Sequence, residues 1–508
     1  INYTVSFSNV NRHYVSVEMV FKPHTMDYVD FKVPVWTPGS YKVREFSQNF
    51  EHVAADNYNI ERTNKNTWRI YHKNQDEIKL SYEVFCFTTS VRQSYADQYY
   101  AFLHGVSAFG YIEGLENEEI ILEVKPLDSW KNVEVALPRK GNTGFVFTSS
   151  NYDEFVDSPI AVGNFESSSY ETMNVPHKIV MIGEGNYDLE KFTSDVKKIT
   201  DWQAQFMGEH PSKQYIHFIY NVDEGGGGLE HANCHTSMIN RWSYTNKGRY
   251  RSFLGLVAHE YFHLWNVKRL RPIELGPFDY DKEVYTDLLW VAEGITSYYD
   301  DLTLYKLGFY TEKEYLNILA SNITRYENTP GKDVMSLAES SRLAWVKSYL
   351  PTEESNNMTI SYYNKGMVAA LLLDLEIRKR GKKSLNDVMQ DLYQTYYKKK
   401  NRGFTPEEFE ACVNKAAGKD LGDWFDKVVY STSPLDYSVL ETFGIELKES
   451  SSNKAHTGLN SKVASGKVVI TDIVKNGPAQ EAGLSVNDEI VAINGWRLNI
   501  DLENEVNK

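Results

Sequence analysis

Apolar and polar positions alternate with period two over the first third of the chain. Val15, Val17, Met19 and Phe21 alternate with Ser16, Glu18 and Val20. Val29, Phe31, Val33 and Val35 do the same around Asp30, Lys32 and Pro34. Leu80, Tyr82, Val84 and Cys86 repeat the period, as do Ile120, Leu122 and Val124. Successive side chains of an extended chain point to opposite faces. This pattern, broken by Pro, Gly and Asn, therefore predicts half-buried antiparallel strands. It predicts an N-terminal antiparallel β domain over residues 1–175.

The pattern changes near Val175 and Pro176. Helical spacing follows over Leu189–Met207, then a strand over 215–220 and a glycine run at 225–228. Two apolar-faced helical stretches are expected at 252–265 and 286–305, and mostly helix from Glu312 to about Tyr430. Thr405-Pro406-Glu407-Glu408 places an N-cap hydroxyl, a Pro at the first helical position and a Glu three residues on, which is a capping-box start. Ser450, Ser451, Ser452 and Asn453 read as a loop. Short strands follow at 468–470, 473–474 and 490–493. The expected organisation is α+β and multidomain, with units at 1–175, 176–330, 331–442 and 443–508. Lys398-Lys399-Lys400 reads as a solvated helix end, and there is no internal repeat.

Composition narrows the function classes. A chain of 508 residues suggests about three domains. With 42% hydrophobic and 24% charged residues it is ordinary globular protein, which excludes wholesale disorder. The net charge of −15 makes nucleic acid a poor partner. No apolar run reaches the ~18 residues of a transmembrane helix. Three cysteines, Cys86, Cys234 and Cys412, cannot build a disulfide framework, and none are spaced as metal-ligand pairs. The sequence opens at Ile1, consistent with a removed signal peptide or with a start at this point. A bacterial periplasmic or exported form is favoured over a cytoplasmic one.

The chemistry sits in His259-Glu260-Tyr261-Phe262-His263. Residues four apart on a helix share a face, so His259 and His263 can offer two imidazole nitrogens to one zinc ion. Glu260 is then placed to take a proton from zinc-bound water. Phe253, Leu256, Val257 and Phe262 can bury the other faces of that helix. A catalytic zinc site needs a third protein ligand and one open position. Glu293 supplies the ligand from a second helical stretch. Asp300, seven residues on, lies on the same face and could accept a hydrogen bond from a ligand histidine. Asp301 beside it is the competing choice.

Residues 259–272 read HEYFHLWNVKRLRP and residues 290–299 read WVAEGITSYY. These resemble the glycyl aminopeptidase family of gluzincin metallopeptidases, relatives of the aminopeptidase N family. The resemblance covers nearly the whole chain. It implies a β domain, a thermolysin-like catalytic domain at 176–330, a helical region completing the active site at 331–442 and a C-terminal PDZ domain. It carries the zinc ligands over to His259, His263 and Glu293 and the general base to Glu260, with one Zn2+ per chain. Gly227-Gly228-Leu229-Glu230-His231 resembles the Gly-x-Met-Glu-Asn segment of the relatives, with His231 in place of Asn. In the relatives that segment is a sheet edge along which a peptide can add as a strand. Gly227 and Gly228 would let its backbone approach, and Glu230 would bind the free α-ammonium. Tyr362-Tyr363-Asn364-Lys365-Gly366 resembles a Tyr-x-Lys-Gly segment, which makes Tyr363 the oxyanion donor and its neighbour Tyr362 the alternative. Residues 476–484 and 488–495 resemble a bacterial PDZ domain, a possible site for a peptide C-terminus. The sequence ends at Lys508, before the last strands of a complete PDZ fold. His231, His235, Lys268, Arg269 and Arg271 are expected to be structural.

The resemblance therefore implies a zinc aminopeptidase acting on peptides with a free N-terminus, favouring small first residues such as Gly and Ala. A zinc endopeptidase recruiting proteins through the PDZ segment is the alternative within the same chemistry. An inactive peptide-binding scaffold is the alternative outside it.

Overall fold

The alternation at 14–21 forms a strand, Tyr14–Phe21, that buries Val15, Val17, Met19 and Phe21 in this computed structural model. The structure describes residues 1–73, 76–450 and 456–498, with 502 and 506. Ser451, Ser452 and Asn453 of the expected loop lie outside the described residues.

The chain divides into two compact units. The first comprises residues 1–284, 299–310 and 392–404. It opens with a six-stranded sheet ordered Val146–Ser149, Ile120–Lys125, Asn2–Ser6, Tyr14–Phe21, Ile78–Phe85, Phe50–Ala55. Two four-stranded sheets accompany it, and their inward faces share one hydrophobic core built around Val5, Val17, Phe31, Ile70, Leu80 and Leu122. The sheets are antiparallel except where Asn2–Ser6 pairs parallel with Ile120–Lys125.

A five-stranded mixed sheet follows, ordered Glu166–Thr172, Val175–Ile182, Tyr215–Val222, Cys234–Asn240, Gly227–Glu230. This sheet begins at Glu166, ahead of the change of pattern near Val175, which falls at the start of its second strand. Its inner strands pair in parallel. Tyr215–Val222 and Cys234–Asn240 are buried almost throughout, as strands covered on both faces must be. Gly227–Glu230 forms one edge, paired antiparallel with Cys234–Asn240. Helix Leu189–Met207 starts at Asp188, whose carboxylate accepts from Lys191 N, and ends at Gly208 in the left-handed region. Helix Lys247–Phe262 packs against the edge hairpin and against Leu189–Met207.

The second unit comprises residues 285–298, 311–391 and 405–508. Its helices are set by their caps: Thr311 with Glu314 and Thr405 with Glu408 form capping boxes at Glu312–Glu327 and Pro406–Ala417. Asn364–Arg380 is buried along most of its length. The expected single helix at 286–305 differs in detail: Trp290–Gly294 is one π-helical turn before the α-helix Ile295–Lys306. The wider turn accompanies a close approach, since a Cβ on Gly294 would lie 2.5 Å from Gly366 Cα. Near the C-terminus, 468–470 and 473 belong to one strand, Lys467–Ile473, paired with Leu459–Ala464. Asn357 fastens this hairpin, donating to Ile473 O at 2.8 Å and accepting from Lys475 N at 2.9 Å.

Candidate functional site

Helix Lys247–Phe262 is fixed at its start by the Asn246 side chain, which accepts from Arg249 N. Phe253, Val257 and Phe262 are buried and Leu256 is half-buried, so the helix cannot rotate without exposing them. His259 and Glu260 fall in its last turn, and His263 is the C-cap. Each histidine is held by its Nδ1. His259 Nδ1 donates to Asp300 Oδ2 at 3.0 Å, and His263 Nδ1 donates to Asn266 O at 2.7 Å. A carboxylate and a carbonyl can only accept, so both rings are in the tautomer that puts the lone pair on Nε2. The rings stand 4.7 Å apart at 82°. Burial raises the Asp300 carboxyl above the usual range, opposed by the His259 hydrogen bond. Its neighbour Asp301, half-buried beside a second carboxylate, is pushed up to about 8. Of the two, Asp300 meets the histidine.

The sheet edge supplies the facing wall. His231 N donates to Cys234 O, closing the hairpin with a hydrogen-bonded pair. Such pairs alternate along an antiparallel ladder, so Gly228 and Glu230 turn their backbone N–H and C=O outward from the edge. Their side-chain positions face the signature helix. A Cβ on Gly228 would lie 2.1 Å from Glu260 Oε1, so that position admits only glycine while the carboxylate stays put. Glu230 is 4% exposed, and its carboxylate has no hydrogen-bond or ion-pair partner among the described residues. Glu230, Glu260 and His263 bring one donor atom each within 4.8 Å of one another. A buried carboxylate without a partner is costly, and an ammonium or a metal ion is what relieves it.

Several supporting residues have no motif of their own. Gly39, at φ +83°, comes from a loop of the β domain, and a Cβ there would lie 2.5 Å from Glu230 Oε1. Asp157 anchors the chain beyond Glu230, accepting from His231 Nδ1 at 3.0 Å, Ala232 N at 2.8 Å and Lys268 Nζ at 2.8 Å. Burial alone would raise its pKa, but Lys268 and His231 hold it well below the usual range. Arg269 donates to Ala232 O and Leu264 O, bracing the same segment. Behind the signature helix, His177 Nδ1 donates to Val175 O, leaving Nε2 to accept from Tyr261 OH at 2.9 Å. His235 joins His217 and Ser237 in a second buried chain. Lone histidines in a strand carry no signal that would mark these networks in sequence.

In the second unit, Glu293 is buried in the π-helical turn, in the helix that continues to Asp300. Tyr362 is buried, while Tyr363 is half-buried at the start of Asn364–Arg380, with the two rings 4.7 Å apart.

A strand edge lies beside the H-E-x-x-H helix, whose two histidines carry their lone pairs on Nε2, and the family matches make the chain a peptidase. The profile of the M61 glycyl aminopeptidase family matches residues 252–369, and that of the M61 N-terminal domain matches residues 2–164. Together they cover more than half of the chain, which belongs to the M61 glycyl aminopeptidase family. A PDZ domain matches residues 436–504. Among solved structures, an aminopeptidase N family protein from Idiomarina loihiensis superposes with a TM-score of 0.94 at 28% identity, over 100% of this chain and 92% of that one. A point mutant of an M1 zinc metallopeptidase from Deinococcus radiodurans, bound to a Tyr-ser-ala substrate, has a TM-score of 0.54 at 11% identity, over 86% and 94% of the two chains. Yeast LTA4 hydrolase has a TM-score of 0.52 at 12% identity, over 86% of this chain and 68% of that one. These last two show a shared fold. No curated protein matches the sequence.

Proposed function

We propose that the protein is a zinc-dependent aminopeptidase that releases the first residue of peptides, with a preference for small first residues such as Gly and Ala. The observation that carries the reading is the Glu230 carboxylate, buried and without a partner, grouped with Glu260 and His263. Family membership and the M1 zinc metallopeptidase neighbour support the metal and the reaction class.

The reading takes His259, His263 and Glu293 as the metal ligands, as the family resemblance implies: two imidazoles and a carboxylate, a donor set that suits zinc. Zinc bound there supplies Lewis acidity, polarising the scissile carbonyl and acidifying water. The chain's own residues do the rest. Glu230 pairs with the α-ammonium and sets the first peptide bond in register. Glu260 takes a proton from the attacking water and returns it to the leaving amine. Tyr363 donates a hydrogen bond to the developing oxyanion. Asp300 holds His259 in its tautomer. The outward N–H and C=O groups of Gly228 and Glu230 receive the substrate backbone as an added strand.

The test is hydrolysis of a Gly- or Ala-initiated peptide by the wild type and by Glu260→Gln, with zinc content measured. The reading predicts chelator-sensitive turnover restored by zinc. It also predicts a zinc-replete variant slower by about 10²–10⁴-fold. Wild-type turnover in that variant would remove Glu260 from the mechanism.

A further inference from the structure

The sheet edge that faces the substrate carries a cation. Arg92, on a loop of the β domain, donates through Nη2 to the outward Gly228 carbonyl at 3.4 Å. Its Nε is buried without a hydrogen-bond partner, and no carboxylate pairs with the guanidinium among the described residues. Arg92 is half-buried. A guanidinium partly removed from water, with donors unspent, is completed by an anion, and by a carboxylate best of all.

The position along the edge says which carboxylate. With the α-ammonium at Glu230, a substrate strand runs past Gly228, two residues along. Two residues of strand span about 7 Å. The amine and carboxylate of an extended dipeptide are separated by a similar distance, and those of a tripeptide by one residue more. We propose that Arg92 is a specificity-determining residue that binds the α-carboxylate of short peptides, making di- and tripeptides the preferred substrates. This rests on the aminopeptidase reading and names its substrate class. The Gly228 carbonyl aims the guanidinium, and its second lone pair remains for the substrate N–H.

The test compares Gly-Ala with Gly-Ala amide on the zinc-loaded full chain, in the wild type, Arg92→Gln and Arg92→Lys. A charged hydrogen bond of this kind is worth roughly tenfold to hundredfold. The wild type should therefore favour the free acid by about that factor in kcat/KM, expressed chiefly in KM. Arg92→Gln should bring the acid-to-amide ratio near one, and Arg92→Lys should keep part of it. Equal wild-type efficiency on the two peptides overturns the assignment, whatever the variants do. So does an unchanged ratio in Arg92→Gln. Failure of the wild type to cleave either peptide overturns the aminopeptidase reading itself and this assignment with it.

Discussion

Gly228 and Glu260 are in such close register that an alanine methyl at 228 would sit 2.1 Å from Glu260 Oε1. The strand proposed to receive substrate and the helix that carries the proposed base are therefore fitted to each other at one missing side chain. The backbone around Gly228 is already fixed by the hairpin, so the carboxylate is what must move. Gly228→Ala should fold and bind zinc like the wild type, yet lose about tenfold to hundredfold in kcat, as a misplacement of order 1 Å does. Steady-state kinetics with a zinc assay checks this. Unchanged kcat would mean that Glu260 has room to work elsewhere.

The His259–Asp300 hydrogen bond fixes the ring that offers Nε2. Asp300→Asn keeps the shape but no longer favours Nδ1–H so strongly. Zinc affinity should fall by about 10–100-fold, measured by competition with a chromophoric chelator. Asp301→Asn should leave it near the wild-type value. Equal effects of the two substitutions would contradict the pairing.

Lys365 gives a pH signature separate from the metal. It is fully buried, its Nζ has no hydrogen-bond partner among the described residues, and burial lowers its pKa to about 8, opposed by Glu327. Between that value and the unfolded value near 10.4 the unfolded chain holds more protons, so this lysine makes stability rise with pH there. Below pH 8 its full cost, roughly 3 kcal/mol, is present. Lys365→Met should therefore be more stable than the wild type at pH 7, with the gap closing toward pH 10 in denaturant titrations. Parallel stability curves would refute this.

The period-two strands of the β domain, the helix Leu189–Met207 and the Thr405 capping box are legible in sequence because their causes are local: alternation, periodicity and an N-cap. The signature helix is legible for the same reason, since His259, Glu260 and His263 share one turn and its neighbour. The contribution of Gly39 is not. It acts on Glu230 from far away in the chain, and a glycine in a loop looks the same whether or not a carboxylate lies against it. Arg92 is hidden likewise, because only the hairpin register shows that Gly228 O points outward to meet it. The π-helical turn at Trp290–Gly294 has its counterpart in Gly366, a tertiary contact that helical periodicity cannot register. The departure at His231 gains its sense only from Asp157, which lies on the β-domain side of the sequence.

Glu230 is proposed to read a free α-amine. The most direct measurement is kcat/KM for one Ala-initiated peptide, free and N-acetylated, with mass analysis of the products. Release of the first residue from the free peptide only, sensitive to chelator, is the expected result. Internal cleavage that proceeds equally on the acetylated peptide would contradict it and make the protein an endopeptidase.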